Sequence, residues 1–229
     1  MATEELARLE GSLRRRFRVA ETTIETAGRT IELLHPASAE DLISEADFER
    51  DERLPYWAEP WPSSFVLARE LLGGRWGTAN GRALLELGCG AGLVATAAAL
   101  AGFDVTASDY YDDALLFARV NAWRATRRDI MTLPLDWRAL PDALSRWDVV
   151  LAADVLYERP YADLVARALA RTIARGGIGV VADPGRVAAG AFVEACPALG
   201  LSVERAVRLP YAEGAIRQTI DVYVVRLAG

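Results

Sequence analysis

Leu6, Leu9 and Leu13 share one helical face, and their spacing predicts a helix over residues 2–16 ending in Arg14-Arg15-Arg16. Basic residues in a last turn complement the partial negative charge at a helix C-terminus. Residues 17–23 and 30–34 then read as two strands joined by a turn at Ala27-Gly28, the second closing at His35-Pro36. Residues 37–54 are acidic, with helical character from Ala39 to Phe48. From Leu54 to Ser64 three prolines predict an extended loop. Ser63 or Ser64 is expected to cap a helix from Phe65 to Leu72.

From residue 82 the pattern alternates. Short apolar runs at 82–87, 103–108, 130–135, 148–153 and 178–182 read as strands. Helical patterns at 92–101, 112–126, 161–174 and 187–197 separate them. Such alternation predicts a parallel sheet with helices on both faces. The last two strand candidates, 201–209 and 218–227, are joined through Tyr211-Ala212-Glu213-Gly214 with no room for a helix. They are expected to form an antiparallel hairpin at the sheet edge, which brings the sheet to seven strands.

Composition narrows the function classes. The 229 residues suit one α/β domain with an extension. A net charge of −6 gives no electrostatic footprint for nucleic acid, so no nucleic-acid partner is expected. All 26 basic residues are arginine, as a compositional bias rich in Ala, Arg and Gly would produce, or as an enzyme that modifies lysine and spares itself would show. Cys89 and Cys196 fit no metal spacing, and a lone His35 rules against a histidine triad or a multi-histidine metal site. His35 reads as a loop or strand-end residue. The longest apolar run, Ala91 to Ala101, is too short for a bilayer span, and no signal peptide is seen. A cytoplasmic protein without a membrane partner is expected.

The densest chemical signal is Leu84-Leu85-Glu86-Leu87-Gly88-Cys89-Gly90-Ala91-Gly92-Leu93. A buried strand runs into a glycine-rich turn and then into a helix whose first N–H groups are free to meet a ligand. The dinucleotide fingerprint needs glycine or alanine where Leu93 stands, so the motif departs from it. About 20 residues on, Asp109 ends the next strand, at the spacing of an acid that accepts from ribose hydroxyls. Asp136-Trp137 follow the third strand, and Asp154-Val155-Leu156-Tyr157 follow the fourth, where ligands of doubly wound sheets bind.

Glu86-x-Gly88-x-Gly90-x-Gly92 resembles motif I of the class I, seven-strand S-adenosylmethionine-dependent methyltransferases. The resemblance implies a Rossmann-like three-layer sandwich in which Glu86 helps hold the amino-acid end of S-adenosylmethionine and Asp109 its ribose. Asp136 and Trp137 would cover the adenine, and Trp57, Cys89, Tyr110 and Ala153 would complete the cofactor site. Asp154-x-x-Tyr157, with no Pro-Pro between, resembles the seven-strand protein lysine methyltransferases rather than the amide and adenine methylases. Pro55-Tyr56-Trp57-Ala58, Trp61-Pro62 and Ala182-Asp183-Pro184-Gly185-Arg186 are similar to segments of the electron-transfer-flavoprotein β-subunit lysine methyltransferases and of nicotinamide N-methyltransferase-like proteins. The implied reaction is methylation of a protein lysine, in which Asp154 orients the amine and Tyr157 packs against it. The implied partner is a protein, an electron-transfer flavoprotein subunit among the possibilities. The alternatives are a small-molecule amine acceptor and a non-catalytic cofactor-binding module. Trp57 reads equally as packing or as an aromatic contact for the acceptor, and Trp61 as packing. Residues 1–54 are expected as an N-terminal extension on a methyltransferase domain at 55–229, the whole forming one structural unit.

Overall fold

A computed structural model describes residues 2–42 and 55–229. The anticipated helix through Phe48 therefore lies mostly outside the described residues; within them, Glu40–Leu42 form a single 3₁₀ turn.

Helix α1 spans Ala2–Arg16, with Leu6 and Leu13 buried as the spacing requires. Strands β1 (Val19–Thr26) and β2 (Arg29–Pro36) pair antiparallel as a separate two-stranded sheet. A 3₁₀ turn at Tyr56–Ala58 leads to α2, Pro62–Leu72. The expected serine cap is not formed: Trp61 is the N-cap residue, and Pro62 begins the helix. Proline suits that place, because its missing N–H would have had no partner there.

The main body alternates β3 (Ala83–Leu87), α3 (Leu93–Ala101), β4 (Asp104–Asp109), α4 (Asp112–Thr126), β5 (Met131–Pro134), β6 (Trp147–Ala153), α5 (Tyr161–Thr172), β7 (Ile173–Asp183) and α6 (Ala189–Ala195). It closes with β8 (Leu201–Glu213) and β9 (Ile216–Leu227). The seven-stranded sheet runs β5-β4-β3-β6-β7-β9-β8. Its first five strands are parallel, and β9 and β8 are antiparallel. Period-two alternation sorts the side chains. Leu84, Val149, Leu151, Val180 and Ala182 meet α2, α3 and α4 on one face; Leu85, Leu87, Val150, Ala152 and Val181 meet α5 and α6 on the other. The result is a three-layer sandwich. Among the described residues no helix is long and apolar enough to cross a membrane.

Several boundaries moved. Helix α5 stops two residues short of its expected end, and β7 begins at Ile173, paired with Trp147 before a register shift. Helix α6 covers only Ala189–Ala195, because Pro197 turns the chain into a 3₁₀ segment, Cys196–Leu199. The final hairpin is longer than its apolar runs: Tyr211 to Glu213 stay paired with β9, and the turn lies at Gly214-Ala215.

The order places the site. The chain steps outward from β3 to β4 and β5, then crosses to β6 on the other side of β3. The carboxyl ends of β3 and β6, Leu87 and Ala153, flank that topological switch point, where such sheets bind ligands.

Candidate active site

One cavity opens at the carboxyl ends of β3, β4, β5 and β6. It brings together all of the anticipated residues: Trp57, Glu86, Gly88, Cys89, Gly90 and Gly92 with Asp109, Tyr110, Asp136, Trp137, Ala153, Asp154 and Tyr157.

The glycine turn is needed for two different reasons. Gly88 takes φ +68°, and a Cβ there would stand 3.2 Å from both the Trp137 ring and Val155. Gly92, at φ +83°, is a packing position: a Cβ would come within 2.4 Å of the Ala118 backbone, where α3 crosses α4. Main-chain and carboxylate bonds fix the turn. Cys89 N–H donates to the Ser108 carbonyl at 2.9 Å, and Gly90 N–H donates to Asp109 Oδ2 at 2.9 Å. Asp109 Oδ1 also accepts the Tyr111 N–H at 3.0 Å. Burial pushes the Asp109 carboxyl up, and these amide donors oppose that push.

Glu86 is 2 % exposed, and its Oε2 accepts the Ala95 N–H of α3 at 2.7 Å. It thus serves an otherwise open N–H of a helix whose N-cap residue, Gly92, has no side chain to offer. Burial first, and then the nearby Asp109 charge, hold the Glu86 carboxyl well above its ordinary range. The Cys89 thiol is likewise raised, chiefly by burial.

At the other wall, the Asp136 carboxylate accepts from the Arg138 guanidinium at 2.7 and 2.9 Å and from its backbone N–H at 2.9 Å. Arg138 in turn lies over the Tyr110 ring, 5.2 Å from its centroid. Trp137 packs edge-on to Tyr161 with centroids 6.0 Å apart, and its buried Nε1–H has no partner among the described residues.

Asp154 sits just past β6 in the left-handed region, φ +59°, its N–H bonded to the Ala182 carbonyl at 2.9 Å. An aspartate there is strained and persists because its surroundings over-determine it, and such strain gathers at functional sites. Its carboxylate is fully buried: Oδ1 accepts from Arg186 Nε at 2.7 Å and Oδ2 from Ser63 Oγ at 3.0 Å. Tyr157 stacks obliquely between Tyr56 and Tyr161, at 4.9 and 4.4 Å. Val155 and Leu156 turn into the core.

Residues 58–183 match the lysine methyltransferase family. The chain belongs to that family. Two similar relatives are the electron transfer flavoprotein beta subunit lysine methyltransferases of Danio rerio and Xenopus laevis. Each is 34 % identical over 58 % of this chain, covering 51 % and 53 % of the relative. The chain thus spans about half the length of the curated relatives it matches. Among solved structures, the magnesium protoporphyrin IX methyltransferase of Synechocystis superposes with TM-score 0.56 at 18 % identity, covering 81 % of this chain and 94 % of that one. At that identity the likeness is one of fold.

In this family member some expected residues carry structural duties as well. Trp57 lies between Phe117 and Tyr111 and packs edge-on to Phe17, inside the cluster that seats the N-terminal layer. Trp61, read as packing, donates its Nε1–H to the Tyr56 carbonyl and turns a face to Arg186. His35 is a buried strand residue bonded to Thr22 and to the Pro36 carbonyl, outside the cavity. Ser63, Tyr56, Tyr161 and Arg186 were not singled out as site residues. For Arg186 a signal existed: it follows β7, the strand beside β6, so its loop belongs to the same rim. Ser63 carried none, since a serine before a helix reads first as a cap. Among the described residues no cluster of His, Cys, Asp or Glu is arranged to hold a metal.

Proposed function

We propose that this chain is an S-adenosylmethionine-dependent N-methyltransferase acting on a lysine side chain of a protein. The observation that carries the reading is Asp154: a strained, buried carboxylate beside aromatic rings at the switch point of the sheet, opening on a glycine-turn cavity. Membership of the lysine methyltransferase family supports the acceptor class. The names of the two relatives suggest an electron-transfer flavoprotein subunit as the acceptor protein.

The residues present fit the cofactor. The Trp137 Nε1–H, buried and without a partner among the described residues, offers a donor at the proposed adenine wall. Glu86 and Asp109 offer carboxylates for an ammonium group and for ribose hydroxyls. Bound S-adenosylmethionine supplies an electrophilic methyl group and leaves as S-adenosylhomocysteine. Asp154 holds the acceptor amine and stabilises the positive charge that grows on its nitrogen. Positioning is most of the task in such a displacement. The amine must also shed a proton, since a lysine ordinarily titrates near 10.4. Tyr157 and its aromatic neighbours favour the cationic product through their ring faces. The net charge of −6 supports a protein rather than a nucleic-acid partner, and a cytoplasmic setting is part of the proposal.

The test uses purified protein, methyl-labelled S-adenosylmethionine and a soluble cell extract. Label is expected on lysine in a protein band. Label in a small metabolite would replace the acceptor with a small amine. Cofactor binding with no acceptor-dependent transfer would leave a binding module.

A further inference from the structure

The Asp154 carboxylate is already occupied by a cation of the chain itself. Arg186 Nε lies 2.7 Å from Oδ1, and the side chains are 33 % and 1 % exposed for Arg186 and Asp154. The guanidinium carbon sits 5.2 Å from the centroid of the Trp61 ring. The loop that carries Arg186 is pinned from below, because Asp183 Oδ1 accepts the N–H groups of Gly185 and Arg186, each at 2.7 Å. Ser63 Oγ holds the other Asp154 oxygen. A buried carboxylate facing a cation that rests on an indole is the set of contacts that binds an alkylammonium ion. A protein lysine would bring the same charge on a similar apolar stem, and with the Asp154 side chain 1 % exposed a second cation reaches Oδ1 as Arg186 moves aside.

Resting on the lysine methyltransferase reading, we propose that Arg186 is the resident occupant of the acceptor-cation position. It keeps Asp154 paired when no acceptor is bound, and an acceptor lysine enters by displacing it. Removing one partner of a buried pair leaves an uncompensated charge, which is strongly unfavourable. A resident cation avoids that state between turnovers. It also sets a threshold, since only an amine that reaches Asp154 well enough to exchange with Arg186 is positioned for transfer. A guanidinium is a suitable occupant because it keeps its proton at any working pH and is therefore not a nucleophile. All 26 basic residues are arginine, so the residue type alone carries no weight; the pairing with Asp154 over Trp61 does.

The absence of lysine from the chain makes a direct test possible. Arg186→Lys would place a primary amine about where the guanidinium carbon now lies. The amine, once deprotonated, would take the methyl carbon from sulfur; the C–S bond breaks, its electron pair stays on sulfur, and the displaced proton goes to solvent. Incubated with S-adenosylmethionine, the Arg186→Lys protein should gain the mass of one or more methyl groups, mapped to position 186. The natural protein should gain none, and Asp154→Asn added to Arg186→Lys should suppress the gain. No gain in Arg186→Lys, while the natural protein labels lysines in extract proteins, would overturn the displacement model and leave the methyltransferase reading standing. No transfer by either protein, with cofactor bound to both by calorimetry, would overturn both. Circular dichroism reports the folded fraction of each variant, and Arg186→Met keeps the stem while removing the charge. With N-acetyl-lysine amide as acceptor, its KM should fall about tenfold relative to the natural protein, a modest binding difference, with kcat changed little. Equal turnover of that probe by the two proteins would count against displacement.

Discussion

At the residue scale, Asp154 carries the most decisive experiment. Asp154→Asn keeps the shape and the Ser63 contact and removes the charge that faces Arg186 and, by proposal, the acceptor amine. Turnover should fall by a factor on the order of 100 or more, as when one electrostatic stabiliser is lost. Affinity for S-adenosylhomocysteine should hold, because the proposal puts Asp154 on the acceptor side of the cavity. Near-normal turnover per folded molecule would remove Asp154 from the mechanism. Glu86 gives a second, pH-dependent outcome. Its folded carboxyl is held well above the ordinary range by burial, so the free protein retains a proton that the unfolded chain has released. The contribution to stability is therefore full below the unfolded pKa and is lost as pH rises through the raised folded value. If the cofactor's ammonium group pairs with Glu86, it favours the ionised form, and binding must expel that proton. At a pH below the raised value, calorimetry should give a more exothermic binding enthalpy in a buffer of large ionisation enthalpy than in one of small. Equal enthalpies in the two buffers, or a Glu86→Gln variant that still releases the proton, would contradict the assignment. Most of these side chains were legible because each ends a strand, where pattern and chemistry coincide. Arg186 had a signal in its place after β7 but not in its partner, and Ser63 had none, since only the packing of α2 and the β7 loop against β6 brings them to Asp154, 32 and 91 residues away.

At the element scale, the strand-turn-helix unit of β3 and α3 was readable from the chain, but its tightest constraint was not. Sequence assigns all three glycines of the turn to a ligand. The structure has Gly92 line the cavity and also sit at the crossing of α3 over α4, where added carbon meets backbone rather than a side chain able to move. Gly92→Ala combines that overlap with a left-handed φ, and about 2–4 kcal/mol of stability should be lost from overpacking and backbone strain together. Thermal melting checks the loss directly. A melting temperature within a degree or two of the natural protein would mean that the helices part without difficulty. The boundaries that sequence misplaced have the same origin: β7 begins at Ile173 because that residue pairs with Trp147 ahead of a register shift, and β8 extends through Glu213 because β9 supplies a partner. Pairing is a property of the sheet, and a polar stretch such as Glu213 in Tyr211-Ala212-Glu213 carries little sign of it in its own pattern.

At the scale of the molecule, the question is whether the N-terminal layer is an appendage or part of the catalytic body. Leu13 of α1, Leu34 of β2 and Trp57 share a core with Phe117 and Val120 of α4. One polar side chain ties that layer to the glycine turn. Asn121, 1 % exposed on α4, accepts the Leu34 N–H at 2.8 Å and donates to the Leu34 carbonyl at 2.7 Å and to the Ala91 carbonyl at 2.8 Å. We propose that residues 1–54 and 55–229 consequently fold as one unit, with Asn121 as the joint between cover and cofactor site. Asn121→Ala would leave three buried main-chain groups without partners, costing about 3 kcal/mol even after relaxation, since each such group is worth roughly 1–3 kcal/mol. Because one of the three belongs to the turn itself, affinity for S-adenosylhomocysteine should weaken as well, although Asn121 is not among the residues lining the cavity. Unfolding followed by tryptophan fluorescence and by circular dichroism should remain a single coincident transition, shifted to lower denaturant. Two separated transitions with cofactor affinity unchanged would instead make the N-terminal layer an independent attachment, and the cavity would owe nothing to it.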